Sequence, residues 1–183
     1  MIVHPTPLPG LCVVELTPHK DERGEFVRIF CENELDDLIG YRRIIQINHA
    51  RTTAVGAIRG MHFQVPPDAE MKFVRCLKGL VWDVAVDLRK GSSTFLQWYA
   101  RELSPINNCV MVIPEGFAHG FQVLEPDSEL LYLHTASYAP NSEGGLKFDD
   151  DILGISWPLM PTDISLRDRN HANIDSNFKG IGL

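Results

Sequence analysis

Along residues 80–88, Leu80, Trp82, Val84, Val86 and Leu88 alternate with Val81, Asp83, Ala85 and Asp87, the period of two that a β-strand imposes on its side chains. Shorter apolar runs recur at 11–16, 56–65, 71–77, 108–113, 116–124 and 129–138, separated by Gly, Pro, Asp and Asn. Many short strands with turn residues between them predict an all-β sandwich or barrel. Helix signals are confined to ENELDDLIG (32–40), with Asn33 as N-cap, acids in the first turn and Gly40 just past the end. A doubly wound α/β fold needs long helices between its strands, and the pattern contains none. No repeat, low-complexity tract or charge block divides the chain, so one domain spanning 1–183 is expected.

Alternation also sorts the polar side chains. In RGMHFQ, Gly60, His62 and Gln64 should face one way and Arg59, Met61 and Phe63 the other. Lys72, Val74 and Cys76 should share a face, as should Phe117, His119 and Phe121, and Leu130, Tyr132 and His134. A closed barrel or rolled sandwich would let His62, Lys72, His119 and Tyr132 converge on one pocket. A base, a phenol and a cation among aromatics suit a small-molecule active site. Taken singly, each of these residues has a plain role as a hydrogen-bonded core side chain.

Composition narrows the function classes. Seventeen Lys plus Arg against twenty-four Asp plus Glu give a net charge of −7, which argues against a nucleic acid as main partner but leaves room for a small anion. The four cysteines, Cys12, Cys31, Cys76 and Cys109, form no C-x-x-C pair and read as buried reduced thiols. The first ten residues lack a signal peptide's basic and apolar regions, and no run approaches the roughly 18 apolar residues of a membrane span. The expectation is a soluble, cytoplasmic protein with neither nucleic-acid nor membrane partner.

Several chemistries lack their sequence basis. There is no G-x-G-x-x-G, no P-loop and no G-x-S-x-G elbow. The H-x-H pair that metal-binding β-barrels commonly present is missing too, so no metal and no cofactor are expected.

Longer motifs carry a family resemblance. DERGEF (21–26), QINH (46–49), IRGMHFQ (58–64), the segment 72–98, IPEGFAHGFQVL (113–124), LLYLHT (130–135), GISWP (154–158) and ISLRD (164–168) together resemble the dTDP-4-dehydrorhamnose 3,5-epimerase family over about residues 10 to 170. The resemblance implies a cupin-like jelly-roll barrel with a few short helices. It also implies a homodimer exchanging N-terminal strands, and a metal-independent isomerase acting on a 4-keto-6-deoxyhexose nucleotide, as in dTDP-L-rhamnose and O-antigen sugar synthesis. By the same resemblance His62 matches the catalytic base, Asp168 its paired carboxylate and Tyr132 the catalytic acid. Lys72 and His119 match substrate-site residues, and Arg23, Gln46, Asn48, Arg59 and Glu143 match nucleotide or sugar contacts.

The chemistry asks for these residue types. A ketone at C4 acidifies the protons on C3 and C5, so a base on one face can remove one and an acid on the other face can return it. His62 suits the first task, with Asp168 fixing its tautomer, and Lys72 would hold the developing oxyanion. Arginine forks at Arg23 and Arg59 match phosphate oxygens.

The chain departs from the family pattern in places. Arg28 stands where Glu is usual on the strand that reaches the partner's nucleotide site, Ile47 where the family reads Q-D-N, and Arg167 where Lys is frequent. The segment after Asn48 is one residue longer than the common form. These departures leave open a second reading, a mono-epimerase at C3 or C5 acting on a CDP-linked sugar. A carbohydrate-binding cupin without catalysis is a remote third, and His62, Asp168 and Tyr132 together argue against it, because binding alone requires no base, orienting carboxylate and phenol.

Overall fold

The computed structural model describes residues 1–183 and contains thirteen strands. In chain order they are β1 (Ile2–Pro5), β2 (Cys12–Glu15), β3 (His19–Asp21), β4 (Gly24–Phe26), β5 (Gln46–Thr52), β6 (Ile58–Gln64), β7 (Lys72–Lys78), β8 (Val81–Asp87), β9 (Trp98–Leu103), β10 (Cys109–Ile113), β11 (Phe117–Val123), β12 (Ser128–His134) and β13 (Glu143–Gly145). Two one-turn helices accompany them, α1 (Asp36–Ile39) and α2 (Leu166–Arg169). Every run singled out by its apolar pattern became a strand. The strands that the pattern did not mark, β1, β3, β4, β5, β9 and β13, are mostly exposed or half-exposed along their length.

One sheet has the order β1-β2-β10-β7-β12-β5 and the other β13-β6-β11-β8-β9. Within these, β5-β12-β7-β10 and β6-β11-β8-β9 are the two antiparallel four-stranded sheets of a double Greek-key jelly roll, as expected for a cupin-like protein. The remaining strands extend the sheets, apart from the separate β3–β4 hairpin. Between the sheets lies an apolar cluster that includes Leu11, Val74, Cys76, Ala85, Met111, Phe117, Phe121 and Leu130.

Both sheets are covered on their outer faces as well. Val14, Phe73, Val112 and Leu133 pack under Leu35 and Ile39 of the 30s segment. Val84, Val86 and Leu88 pack under Leu153, Ile174 and Ile181 of the C-terminal segment. Double coverage explains why β7, β8, β10 and β11 are buried along most of their length. No helix is long and apolar enough to cross a membrane.

The helix expected over 32–40 is shorter and split. A 3₁₀ turn covers Glu32–Glu34 and α1 only Asp36–Ile39. Asn33 does not cap it; Leu35 holds the N-cap position with no side-chain hydrogen bond. Burial of Leu35 and Ile39 against the sheet fixes this segment in place of a cap. Gly40 ends it at φ +55°, as the sequence suggested.

Candidate active site

A cavity of about 560 Å³ opens between the two sheets. From the six-stranded sheet, Gln46, Asn48, Lys72, Tyr132 and His134 line it; from the five-stranded sheet come Arg59, His62, His119 and Glu143; Arg167 and Asp168 enter from α2. The shared faces expected for β7, β11 and β12 all appear, since Val74, Cys76, Phe117, Phe121 and Leu130 lie in the inner cluster and the polar members reach the cavity.

The face expected for Arg59 was wrong, and the reason is a bulge. His119 pairs with His62 and Phe121 with Arg59, so two steps on β11 match three on β6. The extra residue falls at Gly60–Met61 and reverses the alternation, which puts Arg59 and His62 on the same wall. Gly60 has φ +131°, and a β-carbon there would collide with Gly120 of β11. The bulge also turns the Gly60 N–H toward Asp168 Oδ2 at 3.4 Å.

His62 and Asp168 form the most defined pair. Ser165 caps α2 by accepting a hydrogen bond from the Asp168 N–H at 3.1 Å, and the turn carries the Asp168 side chain to His62, Oδ1 to Nε2 at 2.8 Å. Burial pushes the Asp168 pKa up, but the bond and charge of His62, the Gly60 N–H and the Ser165 hydroxyl outweigh it and bring the pKa down to about 2. Arg167 Nη2 also lies 3.0 Å from His62 Nε2. One nitrogen cannot donate to a carboxylate and accept from a guanidinium at once. The ionised Asp168 decides: Nε2 carries the proton, and Nδ1 is the free lone pair. Arg167 is held by Glu143, with Nη1 to Oε2 at 3.0 Å and Nη2 to Oε1 at 3.1 Å.

Tyr132 stands on the facing sheet, its ring edge-on to His119 with centroids 6.0 Å apart. Burial, then the charge of Asp83, pushes its pKa well above that of an ordinary phenol, with Arg59 opposing. The hydroxyl therefore stays protonated at neutral pH, as a proton donor must. His119 Nε2 is bonded to Asp83 Oδ1 at 2.7 Å, and Asp83 is fully buried. Lys72 Nζ sits 3.1 Å from the buried Glu70, whose other oxygen takes His134 Nδ1 at 2.8 Å.

Several residues in this array escaped the sequence reading: Glu70, Asp83, Tyr138 and His171. Asp83 left a signal, a charge in phase with Val81 and Ala85 on a doubly apolar strand. The Ser-x-x-Asp of 165–168 is likewise a helix-start pattern that would have placed Asp168. Glu70, Tyr138 and His171 lie on irregular segments where no period assigns a face.

Two expected contacts lie elsewhere. Arg23, on the exposed β3–β4 hairpin, pairs with Asp21, and Arg28 pairs with Glu34 on the surface; neither lines the cavity of its own chain. Ile47 faces outward at 62% exposure while its neighbours Gln46 and Asn48 face in. The four cysteines are unpaired, and burial pushes Cys12 and Cys76 up to about 11, although Cys31 is only partly buried.

Although the chain has no H-x-H pair, two imidazoles and a carboxylate do cluster. His62, Asp168 and His171 place three possible ligand atoms within 4.8 Å of one another. The set fits a metal ion poorly, because Nε2 of His62 already serves Asp168 and a guanidinium stands 3.0 Å from it.

A jelly roll whose cavity opposes a histidine–carboxylate pair to a phenol has the equipment of a proton-transferring isomerase. Residues 5–176 match the family model described as dTDP-4-dehydrorhamnose 3,5-epimerase. The dTDP-4-dehydrorhamnose 3,5-epimerase of Salmonella typhimurium is 43% identical over 160 residues, 87% of each chain. The crystal structure of the 3,5-epimerase from Legionella pneumophila, in complex with dTDP-4-keto-L-rhamnose, superposes with a TM-score of 0.91 at 36% identity, covering 98% of this chain and 97% of that one. A 3'-monoepimerase from Streptomyces bikiniensis in complex with dTDP-quinovose gives 0.86 at 31% identity, covering 93% and 86%. The chain belongs to the dTDP-4-dehydrorhamnose 3,5-epimerase family.

Proposed function

We propose that the protein epimerises a dTDP-linked 4-keto-6-deoxyhexose at the carbons flanking its ketone. The observation that carries this reading is the opposition of His62, on one sheet, to Tyr132 on the other, across a single cavity. Nδ1 of His62 removes the proton from C5 or C3; the C–H electrons move into an enolate on the C4 oxygen. Lys72 and His119 stabilise that oxygen, since fixed positive charge and donors act strongly where water is excluded. Tyr132 then gives its hydroxyl proton to the same carbon from the opposite face, inverting it. His62 loses its proton to solvent and Tyr132 regains one. Asp168 keeps the imidazole in its working tautomer and offsets the imidazolium charge.

Arg59, held by Thr52 Oγ1 at 2.9 Å, provides the guanidinium for the diphosphate, with Gln46 and Asn48 beside it for the nucleoside. Arg23 and Arg28 would serve a second subunit. Their position outside their own cavity supports a homodimer, as do the exposed Ile2 and Val3 of the edge strand β1. Residues 1–183 act together as one epimerase unit in this reading, working in the cytoplasm.

A similar fold occurs in a 3'-monoepimerase, so inversion at one carbon is the second reading. Incubation with dTDP-4-keto-6-deoxyglucose in D₂O separates them. Deuterium at both C3 and C5 with the L-sugar formed is expected; label and inversion at one carbon would establish the mono-epimerase, and no label would refute the reading. A parallel incubation with the CDP-linked sugar tests the base, and light scattering of the purified protein tests the dimer.

A further inference from the structure

His171 is an imidazole beside the dyad to which the mechanism gives no role. It follows α2 by two residues, and its ring lies edge-on to His62 with centroids 5.8 Å apart and planes at 74°. Its Nε2 is 3.8 Å from Asp168 Oδ1, the oxygen that takes His62 at 2.8 Å. That nitrogen is buried without a hydrogen-bond partner. An unpaired buried nitrogen is a net cost to the fold, so its own bonding does not account for the ring's placement.

The ring occupies a slot in the sheet. Gly145 of β13 pairs directly with His62 of β6, and a β-carbon at Gly145 would run into Nε2 and Cε1 of His171. Gly145 has no left-handed φ, so conformation does not require glycine there. Space for the His171 ring does.

We propose that His171 is a positioning residue for the His62 base, buttressing its imidazole against Asp168 from the slot that Gly145 leaves open. The inference rests on the reading of His62 as the base. Burial, then the neighbouring His62, lowers the His171 pKa, and Arg167 adds to this while Asp168 and Glu143 oppose it. A neutral ring leaves the Asp168 carboxylate to His62. The buttress is steric and aromatic, so a ring of similar size should replace it.

The test is a set of five variants in the full-length protein, assayed for kcat, KM and deuterium exchange. His171→Ala should lower kcat about tenfold with KM within about twofold, because misplacing a reacting group by an ångström costs up to about a hundredfold. His171→Phe should stay within about threefold of the parent kcat. Gly145→Ala should lose more than His171→Ala by forcing the ring into the dyad. The double variant Gly145→Ala/His171→Ala should recover to the level of His171→Ala, since the methyl then enters an empty slot. Independent, multiplicative losses would overturn the proposal, as would a His171→Ala enzyme with full kcat or a His171→Phe enzyme as poor as the alanine variant. His62→Ala keeps the two questions apart. If it still exchanges deuterium, the base assignment itself fails; if it is inactive while His171→Ala is unimpaired, only the buttress fails.

Discussion

Asp168 Oδ1 and His62 Nε2 are 2.8 Å apart although 106 residues separate them in the chain, and one turn of helix makes the meeting possible. Removing the imidazole and removing its partner should therefore have different consequences. His62→Ala should abolish C–H exchange, by about 10³-fold or more, while the far-UV circular dichroism stays native, because a general base is worth about 10²–10⁴. Asp168→Asn should cost less, since the imidazole remains but its tautomer is no longer enforced. Exchange in D₂O followed by NMR measures both, and near-parental exchange by His62→Ala would refute the mechanism.

In the proposed mechanism Tyr132 acts after abstraction. In Tyr132→Phe the ring still packs against His119 and His134, so binding and the first proton transfer should persist. Expected is continued deuterium exchange with epimer formation down about 10²-fold, the scale of a lost general acid. Equal loss of both would mean that the hydroxyl chiefly positions the sugar.

Stability offers a check away from the cavity. The buried Asp87 carboxylate accepts from Arg89 Nε at 2.9 Å, Arg89 Nη2 at 2.7 Å, Ser92 Oγ at 2.6 Å and Thr94 Oγ1 at 2.7 Å. Burial raises its pKa, and these donors outweigh burial and bring it from 3.8 to about 2. A folded pKa below the unfolded one stabilises above pH 3.8, and that contribution disappears as pH falls through about 2. It amounts to about 2 kcal/mol at neutral pH. Asp87→Asn should lower Tm by about 4–8 °C at pH 7. The gap between parent and variant in thermal melts should narrow from pH 4 to pH 2; a constant gap would show that the charge is not what stabilises this loop.

The doubly covered strands were legible because burial on both faces favours apolar residues on both, throughout β10 and at most positions of β8. The alternation in β7 and β12 also located Lys72 and Tyr132 on the inner wall. Arg59 was misplaced because a bulge shifts phase without changing composition; Gly60 marks it, yet glycine alone does not say which strand bulges. The edge strands β1 and β5 were missed because exposed strands need no apolar pattern. The meeting of His62 with Asp168 was supplied by family resemblance, since alternation says nothing about a contact between a strand and a distant turn. Glu70 and His171, on irregular segments, had neither aid.

Glu70 leads to the last prediction. Its side chain is only 8% exposed, and its carboxylate bridges Lys72 Nζ at 3.1 Å and His134 Nδ1 at 2.8 Å, which fixes where the ammonium points. Burial raises the Glu70 pKa, but His134 and Lys72 outweigh it, so the group is ionised at neutral pH. Glu70→Gln keeps the shape and removes the charge. Lys72 then loses its anchor, and its stabilisation of the C4 oxygen weakens. The expected result is a drop in kcat of about 10–10²-fold, a few kcal/mol being the usual worth of one fixed donor to an oxyanion. Binding of dTDP should change by less than about threefold, because the cavity keeps its arginines and gains net positive charge. The double variant Glu70→Gln/Lys72→Met should be no worse than Lys72→Met alone, since residues acting through one another do not add. Losses that multiply would show that Glu70 contributes independently of the lysine.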